Sequence, residues 1–212
     1  MGDSPDFDIA SVEVCASQCA SIIALDGAAL KLPSHVAPTV VCGDFDSASP
    51  HAVRAIFPDA ECVHLDDQNR NDLEKGLILA IERGASSMIL CCCLGGATDK
   101  HLAALGVIAR YHAVLPIAAT HNQMVCRVAS RLSPVRFPAL VGDTVSTIPW
   151  GAPATVSLTG VRYPLAQETL NVGSHGVSNE AVGGEVAVDV MAGEVFVFHQ
   201  PIHGTFGTSS QA

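Results

Sequence analysis

The chain predicts an α/β N-terminal domain with a mainly parallel sheet, followed by an all-β C-terminal sandwich domain, and three observations carry that prediction. The first half alternates short β-branched apolar runs with stretches of helical periodicity, the pattern of strands covered by helices on both faces. From about residue 120 the sequence turns to Val-rich runs and repeated Gly and Pro, with almost no helical periodicity. Of the 212 residues, 49% are apolar, enough for a sizeable core in each of two modest domains. The boundaries expected are residues 1–119 and 120–212.

Taken in order, residues 21–25 read as a strand ending at Asp26-Gly27, and 39–42 as a second ending at Gly43-Asp44. A short helix follows over 50–57, a strand over 61–65, and a helix over 71–84 with Leu73, Leu77, Ala80 and Ile81 at helical spacing. Residues 88–94 form a strand, 101–111 a helix and 114–119 the last strand of the parallel set. The segment before Asp26 is short for both a strand and a helix. In the second half, 145–148, 154–158 and 185–190 read as strands. Val186, Val188 and Val190 line one face of a strand expected to pair with 195–198 as a hairpin across Ala192-Gly193. No internal repeat, charge block or low-complexity linker occurs, and the Gly/Ser/Thr-rich tail over 204–212 is expected to fray.

Charge and cysteine usage narrow the function classes. With 21 acidic against 11 basic residues the formal charge is −10, which argues against a broad nucleic-acid surface or an anionic-membrane contact. No apolar stretch is long enough for a membrane span, and the N-terminus lacks the basic region of a secretory signal. Cys91, Cys92 and Cys93 are consecutive on an expected strand, whose neighbouring side chains face opposite ways, so they cannot form one multidentate clip. Free, buried thiols in a reducing, cytoplasmic setting are the expectation for the eight cysteines. Cys62 and Cys126 read as core thiols rather than nucleophiles.

The acidic residues of the first half gather at one end of its strands. Asp26 follows the first, Asp44 and Asp46 the second, Asp66 and Asp67 the third, and Asp99 the turn after 90–96. In an open parallel sheet the loops at the strands' carboxyl ends share one crevice, where ligands bind. Asp44 and Asp46 would fall on one side of an extended segment, and carboxylates held so close call for a cation between them. The competing reading makes Asp46 or Ser47 the cap of the helix near Pro50. Gly95-Gly96, directly after a strand, permits close backbone approach to a phosphate. Neither a Walker A sequence nor G-x-G-x-x-G is present.

Read together, Asp26-Gly27-Ala28, Gly43-Asp44-Phe45-Asp46-Ser47, the run from Asp67-Gln68-Asn69-Arg70 through Asp72-Leu73-Glu74-Lys75, and Gly95-Gly96-Ala97-Thr98-Asp99 resemble the ordered motifs of the thiamin pyrophosphokinase family. In the second half the segment from Gly160 to Leu165 and Val177-Ser178-Asn179-Glu180 do the same. The resemblance implies a homodimer that transfers pyrophosphate from ATP, as co-substrate, to the hydroxyl of thiamin with Mg²⁺, releasing AMP. It also implies a thiamin site between the α/β domain of one subunit and the sandwich of the other. Residue by residue, it implies Asp44, Asp46 and Asp72 as metal ligands, with Asp44, Asp46, Asp72 and Asp99 catalytic. Asp26, Gly27, Asp67, Gln68, Gly95, Gly96 and Lys100 would handle ATP and its phosphates, and Ser178 and Asn179 would contact thiamin. Either Asp72 or Asp99 is a candidate to accept the hydroxyl proton.

The chain departs from the family pattern at Ala28, Asn69, Ala97 and Lys100, where a Gly, an Asp, an Arg and a His are usual. Lys100 and Arg70 could supply the cation that Ala97 does not. These departures keep open a non-catalytic thiamin- or nucleotide-binding relative, and Asp-x-Asp after a strand also fits a metal-dependent glycosyltransferase. Trp150 and Tyr163 read as packing residues at the sandwich edge before they read as ring-stacking ligands. Glu74-Lys75 reads as a solvated pair at the exposed start of a helix.

Overall fold

The structure, a computed structural model, describes residues 7–200; the tail over 204–212 lies outside the described residues. The chain divides into two compact units between Val107 and Ile108.

In the first unit, α1 (Ile9–Ser17) precedes the first strand, so the short segment before Asp26 holds both a helix and a strand. Asp8 caps it, accepting the backbone N–H of Ala10 and the hydroxyl of Ser11. Val12 and Cys15 are its buried face. Next come β1 (Ile23–Leu25), β2 (Val40–Gly43) and β3 (Glu61–His64), which pair in that order and all parallel. Their carboxyl ends therefore lie along one edge, as the alternating pattern predicts.

The connections explain why that edge is available for chemistry. A 3₁₀ turn, Asp26–Lys31, leaves β1 directly. Helix α2 (Pro50–Ile56) is capped by Ser49, whose hydroxyl accepts the N–H of Ala52, with Pro50 in the first turn. Asp46 and Ser47 are thereby released from capping duty, and the cap reading fails for both. Helix α3 (Asp72–Glu82) is capped by Asn71, which accepts the N–H of Glu74. Its apolar stripe covers β1 and β2 through a cluster of Leu25, Val40, Cys42 and Leu79, with Leu73 against its margin; each such buried side chain contributes about 1.5–3 kcal/mol. The approach is close enough that a Cβ on Gly76 would clash with Leu25 Cδ2. Strand β4 (Met88–Cys91), outside the three-stranded sheet, and α4 (Thr98–Tyr111) follow.

The second unit is antiparallel: β5 (Ile117–His121), β6 (Met124–Ser130), β7 (Val135–Pro149), β8 (Ala154–Thr159), β9 (Leu165–Leu170), β10 (Asn179–Ala192) and β11 (Glu194–His199). Neighbours run β5-β6-β11-β7-β10-β8-β9. Strand β6 approaches β10 although two strands separate them in that order, so the sheet folds over itself as a sandwich. Its core holds Val145, Val156, Leu158, Leu170, Val186, Val188, Val195 and Val197.

Two expectations are corrected here. The strand expected at 114–119 spans Ile117–His121 instead, and one of its edges pairs antiparallel with β6. Its partner is reached through Asn122-Gln123, both at positive φ (47° and 59°), the backbone of a tight two-residue hairpin without the usual Gly. Second, β10 and β11 do not form a hairpin. Both pair with β7, from opposite sides: Asn179 and His199 are each opposite Val145. The single Gly193 between them turns a corner from one layer to the other rather than closing a ladder. The shared inward face of Val186, Val188 and Val190 is as expected.

Candidate active site

The acidic edge of the parallel sheet starts from Gly43. A Cβ there would lie 2.9 Å from Asp26 Cβ, and the residue sits at φ 152°, so glycine is what lets the end of β2 close on the residue that follows β1. Asp26 itself has φ 39° and is only 5% exposed. Its two oxygens accept the backbone N–H groups of Ser47 and Ala48, each at 3.1 Å. This buried carboxylate thus ties the loop after β2 to the end of β1, and holds Asp44 and Asp46 in place.

Asp44 and Asp46 meet by a different route from the one their spacing implied. Phe45 between them has φ 59°, and the N–H of Asp46 donates back to Asp44 Oδ1 at 3.3 Å, so the segment is a turn and not an extended strand end. The outcome is nonetheless convergence: one carboxylate oxygen each from Asp26, Asp44 and Asp46 lie within 4.8 Å of one another. Burial pushes the Asp26 carboxyl above the usual carboxylate range, against the pull of its two N–H donors. The Ser47 hydroxyl, donating to Asp46 Oδ1 at 2.8 Å, and then Asp26, hold Asp46 below that range. Without a cation the pair favours sharing a proton. Mg²⁺ fits this donor set of hard oxygens, which would exchange that proton for metal.

The other expected residues divide. Asp72 lies outside the three mutually close carboxylates; its Oδ1 accepts from the Lys75 ammonium at 3.1 Å, and that ammonium stands 3.8 Å from Asp44 Oδ2. Lys75 is only 6% exposed, which overturns its reading as a solvated helix-start residue. Asp67 accepts the N–H of Asn69 at 2.9 Å, which with Arg70 lowers its carboxyl from the usual range. Arg70 donates to Asp67 and lies 3.8 Å from Glu74, so it is engaged by its own loop and the first turn of α3. Gln68 is exposed and donates to the carbonyl of Asp66. Gly27 lies in the 3₁₀ turn. The N–H of Gly95 donates to His101 Nδ1 at 2.8 Å, while Gly96, Asp99 and Lys100 are exposed at the start of α4.

In the second unit, Ser178 is exposed at φ 59°, its N–H donating to Ser146 Oγ. Asn179 is buried, and its side chain is used up internally. Its Oδ1 accepts the N–H groups of Tyr163 and Glu180, and its Nδ2 donates to the Tyr163 carbonyl at 2.7 Å. Asn179 therefore clamps the loop that presents Tyr163. Trp150 packs edge-on against Phe196 with centroids 5.1 Å apart, as the packing reading has it. All eight cysteines are free thiols, five buried and three half-buried. Cys91 and Cys92 do not face opposite ways: Cys92 leaves the strand at φ 56° and the two sulfurs lie 3.8 Å apart.

Two residues escaped the sequence reading. Lys75 carried a signal, since it falls on the buried stripe of α3 with Leu79 four residues on, and one turn after Asp72. The grouping of Asp26 with the metal-side carboxylates carried none, because it depends on β1 lying beside β2.

Comparison with known proteins accords with this architecture. The family model described as thiamin pyrophosphokinase, catalytic domain, matches residues 12–118, and that described as thiamin pyrophosphokinase, vitamin B1 binding domain, matches 135–194. No curated protein sequence matches the chain significantly. Among solved structures, thiamine pyrophosphokinase from Bacillus subtilis is 19% identical with a TM-score of 0.74, over 85% of this chain and 87% of that one. The enzyme from Geobacillus thermodenitrificans is 23% identical with a TM-score of 0.71, over 89% and 86%. That from Candida albicans is 12% identical with a TM-score of 0.78, over 93% and 88%. At these identities the likeness is one of fold.

Proposed function

This chain belongs to the thiamin pyrophosphokinase family, both of whose domain models it matches, and from that premise we propose that it transfers the pyrophosphoryl group of ATP to thiamin, with Mg²⁺, as a cytoplasmic homodimer. The observation that carries the reading is the convergence of Asp26, Asp44 and Asp46 on one edge of the parallel sheet. Those three carboxylates would hold the metal, whose charge offsets that of the phosphate oxygens during transfer.

The chain's own residues supply position. Asp26 fixes the loop through Ser47 and Ala48, so the carboxylates are arranged before substrate arrives. The hydroxyl oxygen of thiamin bonds to the β-phosphorus of ATP, the bond from that phosphorus to the α–β bridging oxygen breaks, and AMP departs. The hydroxyl proton passes to Asp72 or Asp99. Asp72 has one oxygen engaged by Lys75 and Asp99 is exposed. On the second unit, Ser178 would face thiamin while Asn179 holds the loop around it.

The matches to both halves favour the pyrophosphokinase reading over the glycosyltransferase one. The non-catalytic reading draws on one observation: Arg70, a candidate for the cation absent at Ala97, is engaged by Asp67 and Glu74. One assay separates the two. Thiamin, ATP and Mg²⁺ should yield thiamin diphosphate and AMP in equal amounts. ADP as the nucleotide product refutes pyrophosphoryl transfer, and calorimetric binding without turnover establishes the non-catalytic relative.

A further inference from the structure

Lys75 closes the run Asp72-Leu73-Glu74-Lys75, yet the proposed chemistry gives it no role. A lysine near a surface normally extends its four-carbon stem until the ammonium reaches water. Here the side chain is instead buried at the start of α3, with its ammonium 3.1 Å from Asp72 Oδ1 and 3.8 Å from Asp44 Oδ2. Asp44 is one of the three mutually close carboxylates, whereas Asp72 is not. The ammonium thus links the carboxylate group on the sheet edge to the first turn of the helix that covers it.

We propose that Lys75 is a positioning residue acting as a fixed counter-charge, weakening the hold of the carboxylates on a divalent cation while strengthening the hold of the crevice on a polyphosphate. The ammonium lies against Asp44 and Asp72 and its charge reaches Asp46, whose carboxyl is held low chiefly by Ser47, so carboxylates still outnumber it in the crevice. One fixed positive charge beside Asp44 repels an incoming cation and attracts the phosphates by the same Coulomb field, so its removal moves the two affinities in opposite directions. Loss of packing or local order would move both the same way. The nucleotide half of this inference rests on the reading under Proposed function; the metal half does not.

The test is Lys75→Met, matched in length and uncharged, and Lys75→Gln, which keeps a donor for Asp72 but no charge. Mn²⁺ or Mg²⁺ binding is measured on the metal-free protein without nucleotide, and ATP binding is measured with saturating Mg²⁺ and no thiamin. Both variants should bind the metal alone about tenfold more tightly and ATP about tenfold more weakly at low ionic strength. Unchanged or weakened metal binding in a folded variant overturns the proposal, as does failure of both variants to fold, which would make Lys75 a support of the fold alone. A wild-type chain that binds metal but no ATP overturns the pyrophosphokinase reading instead, and the metal measurement then decides the role of Lys75 by itself.

Discussion

Replacing Asp26 by Asn tests the idea that one carboxylate both braces the crevice and serves it. In the wild-type protein each Asp26 oxygen accepts one backbone N–H, from Ser47 and from the buried Ala48. An amide offers a single acceptor oxygen, so one of the two N–H groups must face an NH₂. Leaving a buried donor unmet costs about 1–3 kcal/mol. Part of that is returned, because the neutral amide escapes the burial penalty that pushes the Asp26 carboxyl upward. A net loss of about 1–2 kcal/mol is expected, or a fall of about 0.5–1 M in the urea midpoint. Metal affinity should drop by about tenfold or more with the lost charge. Asp46→Asn is the control: Asp46 is exposed and accepts from Ser47 Oγ and not from a buried N–H, so metal affinity should fall with the unfolding midpoint unmoved. Denaturation monitored by far-ultraviolet circular dichroism, together with Mn²⁺ titration, measures both quantities. Equal loss of stability in the two variants, or none in Asp26→Asn, refutes the bracing role.

The second unit carries two further predictions. His199 is buried, stacked on Phe137 with centroids 3.7 Å apart, and desolvation lowers its pKa to about 4. Arg127 can only donate, so the contact at 3.2 Å makes His199 Nε2 the acceptor and leaves the ring proton on Nδ1, toward the Gln200 carbonyl. The unfolded chain takes up a proton near pH 6.5 that the folded chain refuses until about pH 4. Stability should therefore be full above pH 6.5 and decline by about 3 kcal/mol as the pH falls to 4; urea midpoints that show no such contribution, by comparison with His199→Phe, count against it. Asn179→Asp keeps the oxygen that accepts from Tyr163 and Glu180 but sets a second oxygen against the Tyr163 carbonyl in place of the 2.7 Å donor. It should cost about 2 kcal/mol and raise amide exchange over residues 160–164, and protection equal to wild type there would remove the clamp.

What the sequence made legible at the site was the edge, not the contacts. Acidic residues directly after the strand runs that became β1, β2 and β3 sufficed to place Asp26, Asp44 and Asp67 at one end of a parallel sheet. The local reason given for Asp44 and Asp46 was wrong, since alternation applies to an extended chain and Phe45 is left-handed. Polarity hid Lys75, because a lysine beside a glutamate reads as solvated until the helix stripe is laid on its neighbours. The cap near Pro50 was expected at Asp46 or Ser47, and the 3.2 Å bond from the Ala52 N–H assigns it to Ser49. In the second half, strand positions were readable and their partners were not. Adjacency in sequence favours a hairpin across Gly193, but pairing is decided by which ladder edge lies free, and β7 offered one on each side.

Strand β11 has a consequence for how the second unit is assembled. It is the strand that joins β6 to β7, through Ala129↔Val195 on one side and Ile148↔Phe196 on the other. In a chain growing from its N-terminus, residues 194–199 arrive after every other described strand, so β6 and β7 each keep an open ladder edge until those strands have been made. Pairings across such separations form slowly, and open edges recruit other chains. The nascent sandwich is thus unfinished for most of its synthesis, and closes when a segment of six residues slots between two strands already waiting.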